Sequence, residues 1–136
     1  MRYLGMDLGT KTLGLATSDK LGIIATPFKL LRYTDINNLV LDVLKVIDEE
    51  KIDALVLGLP KNMDNSLGYA AERSLNFKKL LEEKCNLPLY LVDERLSTVE
   101  AENMLINNNV SRKKRKEKID GVSASIILDT YLKKVG

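Results

Sequence analysis

Residues 2–16, "RYLGMDLGTKTLGLA", decide how this chain begins to fold. Two apolar runs, at 2–7 and 13–18, flank the connection "LGTKT", in which Gly9 is able to adopt positive φ. The pattern predicts two strands joined by a hairpin-like turn. Asp7 interrupts the first apolar run, and an isolated buried carboxylate is costly unless it is paired, protonated or bound to a cation.

The rest of the chain alternates between strand-like and helical segments. A third strand is expected near 23–26, before Pro27, and two further buried strands at "ALVLG" (54–58) and "LYLV" (89–92). Apolar residues at three- and four-residue steps predict a helix that begins near residue 36, with Thr34 or Asp35 as its cap. Further helices are expected at about 69–85, from Ser97 to about 109 and, after a basic loop at 111–118, at about 119–134.

The order of these elements predicts the fold class. Three strands come first, and strands and helices then alternate, which is typical of a mixed sheet with helices on its faces. We therefore expect an α/β fold with a five-stranded sheet, antiparallel at its start and parallel afterwards. A length of 136 residues fits one domain, 1–136.

The residues that are missing exclude several kinds of chemistry. The chain has no histidine and one cysteine, which removes the Ser-His-Asp triad, Cys-His pairs and the usual zinc sites. Cys85 has no partner for an internal disulfide, so a cytoplasmic location is expected. No apolar run approaches the ~20 residues of a membrane helix, so no membrane partner is expected.

Positive charge is concentrated in the segment "SRKKRKEK" (111–118). It contains six basic residues and one acidic residue, a net charge of +5, whereas the whole chain carries +2. Focused basic charge favours a polyanionic partner such as nucleic acid, and a solvated basic segment without a partner is the alternative. The residues that would contact phosphate are Arg112, Lys113, Lys114, Arg115 and Lys116.

Three carboxylates lie at the ends of predicted elements. Asp7 is at the end of the first strand, Glu94 follows "LYLV", and Asp120 opens the last predicted helix on the stripe of Ala124 and Ile127. Because sites in α/β sheets form at the carboxyl ends of strands, the three acids could meet there. Oxygen ligands suit Mg²⁺ or Mn²⁺, and two such ions can activate water for attack on a phosphodiester.

Each acid also has a plainer interpretation. Asp7 could only shape the turn, Glu94 could pair with Arg95 or Lys11, and Asp120 could only favour a helix dipole. Asn62 belongs to the polar loop "LPKNMDNSLG" (59–68), which either contacts the substrate backbone or forms a tight turn.

Four ordered stretches resemble the YqgF family, also called the RuvX or Holliday-junction-resolvase-like family. They are "MDLGTKTLGLATSD" (6–19), "GLPKNMDNSLG" (58–68), "VDERLSTVEA" (92–101) and "KIDGVSASIILDTYL" (118–132). The resemblance implies an RNase H-like fold with a five-stranded mixed sheet. It also implies nuclease activity on structured nucleic acid, either four-way DNA junctions or precursor ribosomal RNA.

The resemblance assigns roles residue by residue. It implies that Asp7, Glu94 and Asp120 are the catalytic acids and hold the metal, and that Lys11 and Arg95 are motif residues that face the nucleic acid. A junction resolvase would act as a homodimer, whereas a monomer would suffice to trim an RNA end. The alternatives are a non-catalytic nucleic-acid-binding factor in ribosome assembly or transcription and, from "DLGT", an actin-like ATPase, for which the chain is short.

Overall fold

A computed structural model describes residues 1–60, 68–93 and 112–135. Within the last of these ranges, the side chains are described from residue 122 to residue 134. The predicted helix that starts at Ser97 therefore lies outside the described residues, as does the loop from 61 to 67.

Five strands and three helices make up the described part of the chain. The strands form a single sheet. Among the described elements, a helix comes after each of the third, fourth and fifth strands. In order, the elements are β1 (Tyr3–Leu8), β2 (Thr12–Ser18), β3 (Ala25–Arg32), α1 (Ile36–Glu50), β4 (Ala54–Leu59), α2 (Tyr69–Lys84), β5 (Leu89–Asp93) and α3 (Arg112–Val135).

The sheet has the strand order β3-β2-β1-β4-β5. β2 is antiparallel to both β1 and β3, whereas β4 is parallel to both β1 and β5. The prediction of a mixed sheet, antiparallel first and parallel afterwards, is confirmed.

The two faces of the sheet carry separate apolar cores. Leu4, Met6 and Leu8 alternate along β1 and are buried in the larger core, together with residues of α1 and α2. On the opposite face, Ala16 of β2 and Val56 of β4 pack with α3 in a smaller core. Every residue of β4 is buried, as expected for a central strand that is covered on both faces. Helices therefore cover both faces of the sheet, as predicted.

Helix α1 has clear signals at both ends. The Asp35 side chain accepts a hydrogen bond from the Asn37 N–H at 3.0 Å, so Asp35, one of the two predicted candidates, is the cap. At the other end, Lys51 adopts a left-handed conformation with φ of 54°, and its N–H donates to the Ile47 carbonyl.

The predicted end of the third strand is wrong. β3 continues through Pro27 to Arg32. A proline is tolerated here because β3 is at the edge of the sheet and because its pairing with β2 shifts between Leu15 and Ala16, where Ala16 faces Pro27.

The predicted basic loop before the last helix is also wrong. The backbone is helical from Arg112 onward, so the basic segment forms the first turns of α3. Lysine, arginine and glutamate are good helix formers, and no proline interrupts the segment, so its high charge does not prevent a helix. Asp120 consequently lies inside α3, roughly two turns after its start, rather than at its first residue.

Candidate functional site

Asp7 lies next to the carboxyl end of β1. It is half-buried and faces Gly14 of β2 in the antiparallel register. Side chains alternate along a strand, so Asp7 is on the same face of the sheet as Gly5 and Tyr3. That face is the one covered by α3.

Helix α3 runs antiparallel to β1. Near the start of β1, the Tyr3 ring contacts the Tyr131 ring, with 5.6 Å between the ring centroids. Two residues later, Gly5 lies against Ala124 and Leu128. A step toward the carboxyl end of β1 is thus a step toward the beginning of α3.

From this direction we infer that the backbone of Asp120 lies at about the same level as Asp7. From Gly5 to Asp7 the strand advances about 7 Å, and from Ala124 back to Asp120 the helix advances about 6 Å. Asp120 also occupies the helical position four residues before buried Ala124, on the stripe expected from the sequence. We therefore expect the Asp7 and Asp120 positions at the same end of the molecule.

Glu94 directly follows Asp93, the last residue of β5, and lies outside the described residues. Asp93 faces Leu59 at the end of β4, and Leu57 of β4 faces Met6 of β1. β4 thus lies between the strands that lead to Asp7 and to Glu94, which are not neighbours. All three parallel strands end at the same edge of the sheet. Asn62 and Arg95 also fall outside the described residues.

Lys11 is exposed in the turn between β1 and β2. The turn is closed by a hydrogen bond from the Gly9 N–H to the Thr12 carbonyl at 2.7 Å. The basic residues 112–116 belong to the first turns of α3. The sequence therefore places positive charge both in this turn and in the first turns of α3.

Tyr33 is a neighbour of the candidate site that sequence reasoning missed. Its hydroxyl donates to the Gly9 carbonyl at 2.6 Å, and its backbone N–H donates to the Lys11 carbonyl at 3.0 Å. No local motif marks Tyr33. Its place becomes clear only from the register of β2 and β3, in which Thr12 faces Arg32, so that the next residue along the chain reaches the turn.

Burial raises the pKa of the Tyr33 hydroxyl above its ordinary value of 10.0, and the nearby positive charge of Arg73 opposes this shift. The hydroxyl therefore stays protonated at neutral pH and remains a hydrogen-bond donor. Arg73 belongs to the first half of α2.

The donor set fits a hard divalent cation by its chemistry. Carboxylate oxygen is the ligand type that Mg²⁺ and Mn²⁺ prefer, and the chain has no histidine to offer a softer alternative. Asp7 is half-buried at a strand end, where a bound cation would offset the cost of its charge. Among the residues whose side chains are described, no group of three or more acidic or cysteine residues forms a metal cluster.

Curated relatives match the chain over almost its full length. A protein from a Geobacillus species, named "Putative pre-16S rRNA nuclease", is 48% identical over 134 residues, covering 97% of each chain. A relative of the same name from Geobacillus kaustophilus is 49% identical over 134 residues, again covering 97% of each chain.

Solved structures share the fold at low sequence identity. RuvC from Thermus thermophilus in complex with a Holliday junction has a TM-score of 0.64 and 14% identity, and covers 99% of this chain and 96% of that one. The fowlpox virus resolvase in complex with Holliday junction DNA has a TM-score of 0.57 and 14% identity, with 99% of both chains covered. The expected RNase H-like fold is thereby confirmed.

In the part of the chain that the structure describes, no helix is both long and apolar enough to cross a membrane. The model of the RuvX family, described as Holliday junction resolvase, matches residues 1–134. The chain belongs to the RuvX family.

Proposed function

We propose that this protein is a metal-dependent nuclease that hydrolyses phosphodiester bonds of structured nucleic acid. The observation that carries the proposal is that β1, which bears Asp7, and β5, which ends one residue before Glu94, both run parallel to β4 and end on the same side of the sheet. The contacts of α3 with β1 support placing Asp120 near that side. Family membership and the names of the relatives support a nuclease activity.

The substrate follows from the same comparisons. The curated relatives are named for the precursor of 16S ribosomal RNA, and the solved RuvC and fowlpox structures hold Holliday junctions. Both substrates are polyanions with a fixed three-dimensional shape. We infer that the chain acts on the precursor of small-subunit ribosomal RNA, on four-way DNA junctions, or on both.

In this mechanism the three acids have one role and the basic residues another. Asp7, Glu94 and Asp120 would hold Mg²⁺ or Mn²⁺, which supplies Lewis-acid activation of water and stabilisation of the charge on the leaving oxygen. Lys11, exposed beside the Asp7 strand, neutralises the charge of the phosphate.

The start of α3 would bind the nucleic-acid backbone through the basic residues Arg112, Lys113, Lys114, Arg115 and Lys116. Asn62 and Arg95 complete the proposed contact surface. Contacts of this kind position the strand without reading its sequence, which suits recognition of a structured substrate by its shape.

Side-by-side cleavage of a four-way junction and a precursor ribosomal RNA by the wild type and by Asp7→Asn tests the proposal. We expect wild-type cleavage in Mg²⁺ or Mn²⁺ and none by Asp7→Asn, with unchanged folding and binding. The matched control is Asp42→Asn, which makes the same change at an exposed position of α1. Undiminished cleavage by Asp7→Asn would overturn the assignment.

The same experiment separates enzyme from binding protein. Binding of both substrates by the wild type, without cleavage in either metal, favours a non-catalytic factor in ribosome assembly or transcription. Cleavage of only one substrate identifies the substrate class.

We further infer that residues 1–136 form one domain. We also infer a cytoplasmic location, since Cys85 is a free cysteine. Its assembly state is tied to its substrate. Two symmetric cuts in a junction need a homodimer, whereas trimming one RNA end needs only a monomer. Analytical ultracentrifugation with and without a junction distinguishes the two.

A further inference from the structure

The turn between β1 and β2 is anchored from a distant part of the chain. Tyr33, immediately after β3, makes two hydrogen bonds to it, one from its hydroxyl to the Gly9 carbonyl and one from its N–H to the Lys11 carbonyl. The hydroxyl bond, at 2.6 Å, is short for an O–H donor. The two acceptors lie on either side of Thr10, so the turn is held at two points.

Tyr33 is held by its own packing and can therefore restrain this turn. The side chain is half-buried and packs against the larger core. Its hydroxyl is therefore fixed by apolar packing rather than free to follow a moving loop. Because burial raises the pKa of the hydroxyl, the donor is present across the neutral range.

The anchored turn carries the exposed Lys11 and directly follows the strand that carries Asp7. The lysine ammonium sits on a flexible four-carbon stem, so a fixed backbone beneath it limits the region that the charge can reach and lowers the entropic cost of holding it at one phosphate. At the opposite end of the turn, a Cβ atom on Gly9 would lie 3.2 Å from Thr12 Oγ1, so the backbone is already closely packed there. The tertiary structure holds the turn in place from the Tyr33 side.

We propose that Tyr33 is a positioning residue, whose hydroxyl holds the β1–β2 turn so that Lys11 meets a phosphate of the nucleic acid beside Asp7. The proposal rests on the proposed function, since it assigns Lys11 a phosphate contact. In this role Tyr33 acts only through the backbone of the turn.

A double-mutant cycle tests this role by binding alone. The dissociation constant of a fluorescent four-way junction is measured without divalent metal for the wild type, Tyr33→Phe, Lys11→Ala and the double variant. We expect Tyr33→Phe to weaken binding about 3- to 10-fold, the usual worth of one hydrogen bond. In the Lys11→Ala background, the same change has no further effect.

Tyr3→Phe is the matched control. It also removes a tyrosine hydroxyl, but at the other end of β1. Within the described residues, that hydroxyl donates a hydrogen bond only to the exposed Met1 sulfur, at 3.7 Å. We expect its dissociation constant to equal that of the wild type. Thermal melts of all variants show whether the fold is retained.

Three outcomes overturn the inference: an unchanged dissociation constant for Tyr33→Phe, an equal loss in both Lys11 backgrounds, or no junction binding by the wild type. An equal loss in both backgrounds is what general destabilisation produces, so the cycle separates positioning from a structural role. Steady-state cleavage adds a second readout, in which Tyr33→Phe raises KM and leaves kcat nearly unchanged.

The failure of this inference is distinguishable from failure of the proposed function. The nuclease assignment fails if Asp7→Asn still cleaves, whereas the Tyr33 assignment fails on binding constants that involve no cleavage.

Discussion

Gly5 of β1 and Leu128 of α3 are in direct contact across the smaller core. A Cβ atom on Gly5 would lie 2.7 Å from Leu128 Cβ and 2.9 Å from the Ala124 carbonyl oxygen. The strand and the helix therefore approach each other as closely as a glycine permits. Since Gly5 lies between Tyr3 and Asp7 on one face of β1, this contact sets the level of α3 relative to the site.

Gly5→Ala should lower the free energy of unfolding by about 1–3 kcal/mol, the usual cost of overpacking a close-packed core. Neither neighbour is the flexible end of a side chain, so the helix must move away from the strand. We expect a lower midpoint in urea and reduced cleavage under conditions where the variant is still folded. A variant as stable and active as the wild type would contradict this packing.

Asp120→Asn should reduce the cleavage rate at least about 100-fold, because groups that act as a unit in one site each cause a large loss when removed. The double variant with Asp7→Asn should be no less active than either single variant. Asp129→Asn is the control on the same helix, because that residue pairs with Lys133 at 2.9 Å, further along α3. If the loss of cleavage rate in the double variant equalled the product of the two single losses, the two acids would act in separate sites.

Replacing Lys113 and Lys114 with glutamine should weaken nucleic-acid binding and reduce its salt dependence. The slope of log K against log salt concentration should fall by about 2 for a duplex, roughly one unit for each lost phosphate contact. Lys133→Gln with Lys134→Gln makes the same charge change in the last turn of the same helix. Equal slopes for the two double variants would contradict a specific role for the first turns of α3, because the loss of two positive charges would then have the same effect at either end of the helix.

Asp19 should make the unfolding of this protein sensitive to acid. Its carboxylate accepts hydrogen bonds from the N–H groups of Ile24 at 3.0 Å and Ile23 at 2.7 Å, which hold its pKa below the ordinary value of 3.8. Because the pKa is lower in the folded state, its stabilisation is complete above the unfolded-state pKa and is lost as pH falls through the folded-state pKa.

Urea unfolding of the wild type and Asp19→Asn between about pH 2 and 6 tests this expectation. The wild type should be more stable by a constant amount at the upper end, and the difference should shrink below about pH 4. Asp48→Asn, an exposed position on α1, serves as the control. A difference that does not change with pH would contradict the role of the Asp19 charge.

Local patterns in the sequence predict most of the elements. The apolar runs around Asp7 and at 54–58 and 89–92 became β1, β2, β4 and β5, and the periodicity from residue 36 became α1. The reason is that strand and helix periods are properties of neighbouring residues. The rule that a side-chain oxygen caps a helix is equally local, and it correctly included Asp35.

Two predictions about the elements were wrong, for different physical reasons. Pro27 reads as the end of a strand, yet the edge position of β3 and its shifted pairing tolerate it. The basic segment reads as a loop by its charge, although its residues are helix formers and extend α3 to Arg112. The first error depended on the place of β3 in the sheet, whereas the second came from giving charge more weight than helix propensity, which is itself a local property.

By itself, the sequence determined the chemical character of this protein: carboxylates beside apolar stretches, no histidine, and concentrated basic charge. Tertiary structure alone decided that β4 separates β1 from β5, that α3 runs antiparallel to β1, and that Tyr33 holds the Gly9 turn. Strand order and packing depend on contacts between residues far apart in the chain, and no local period encodes them.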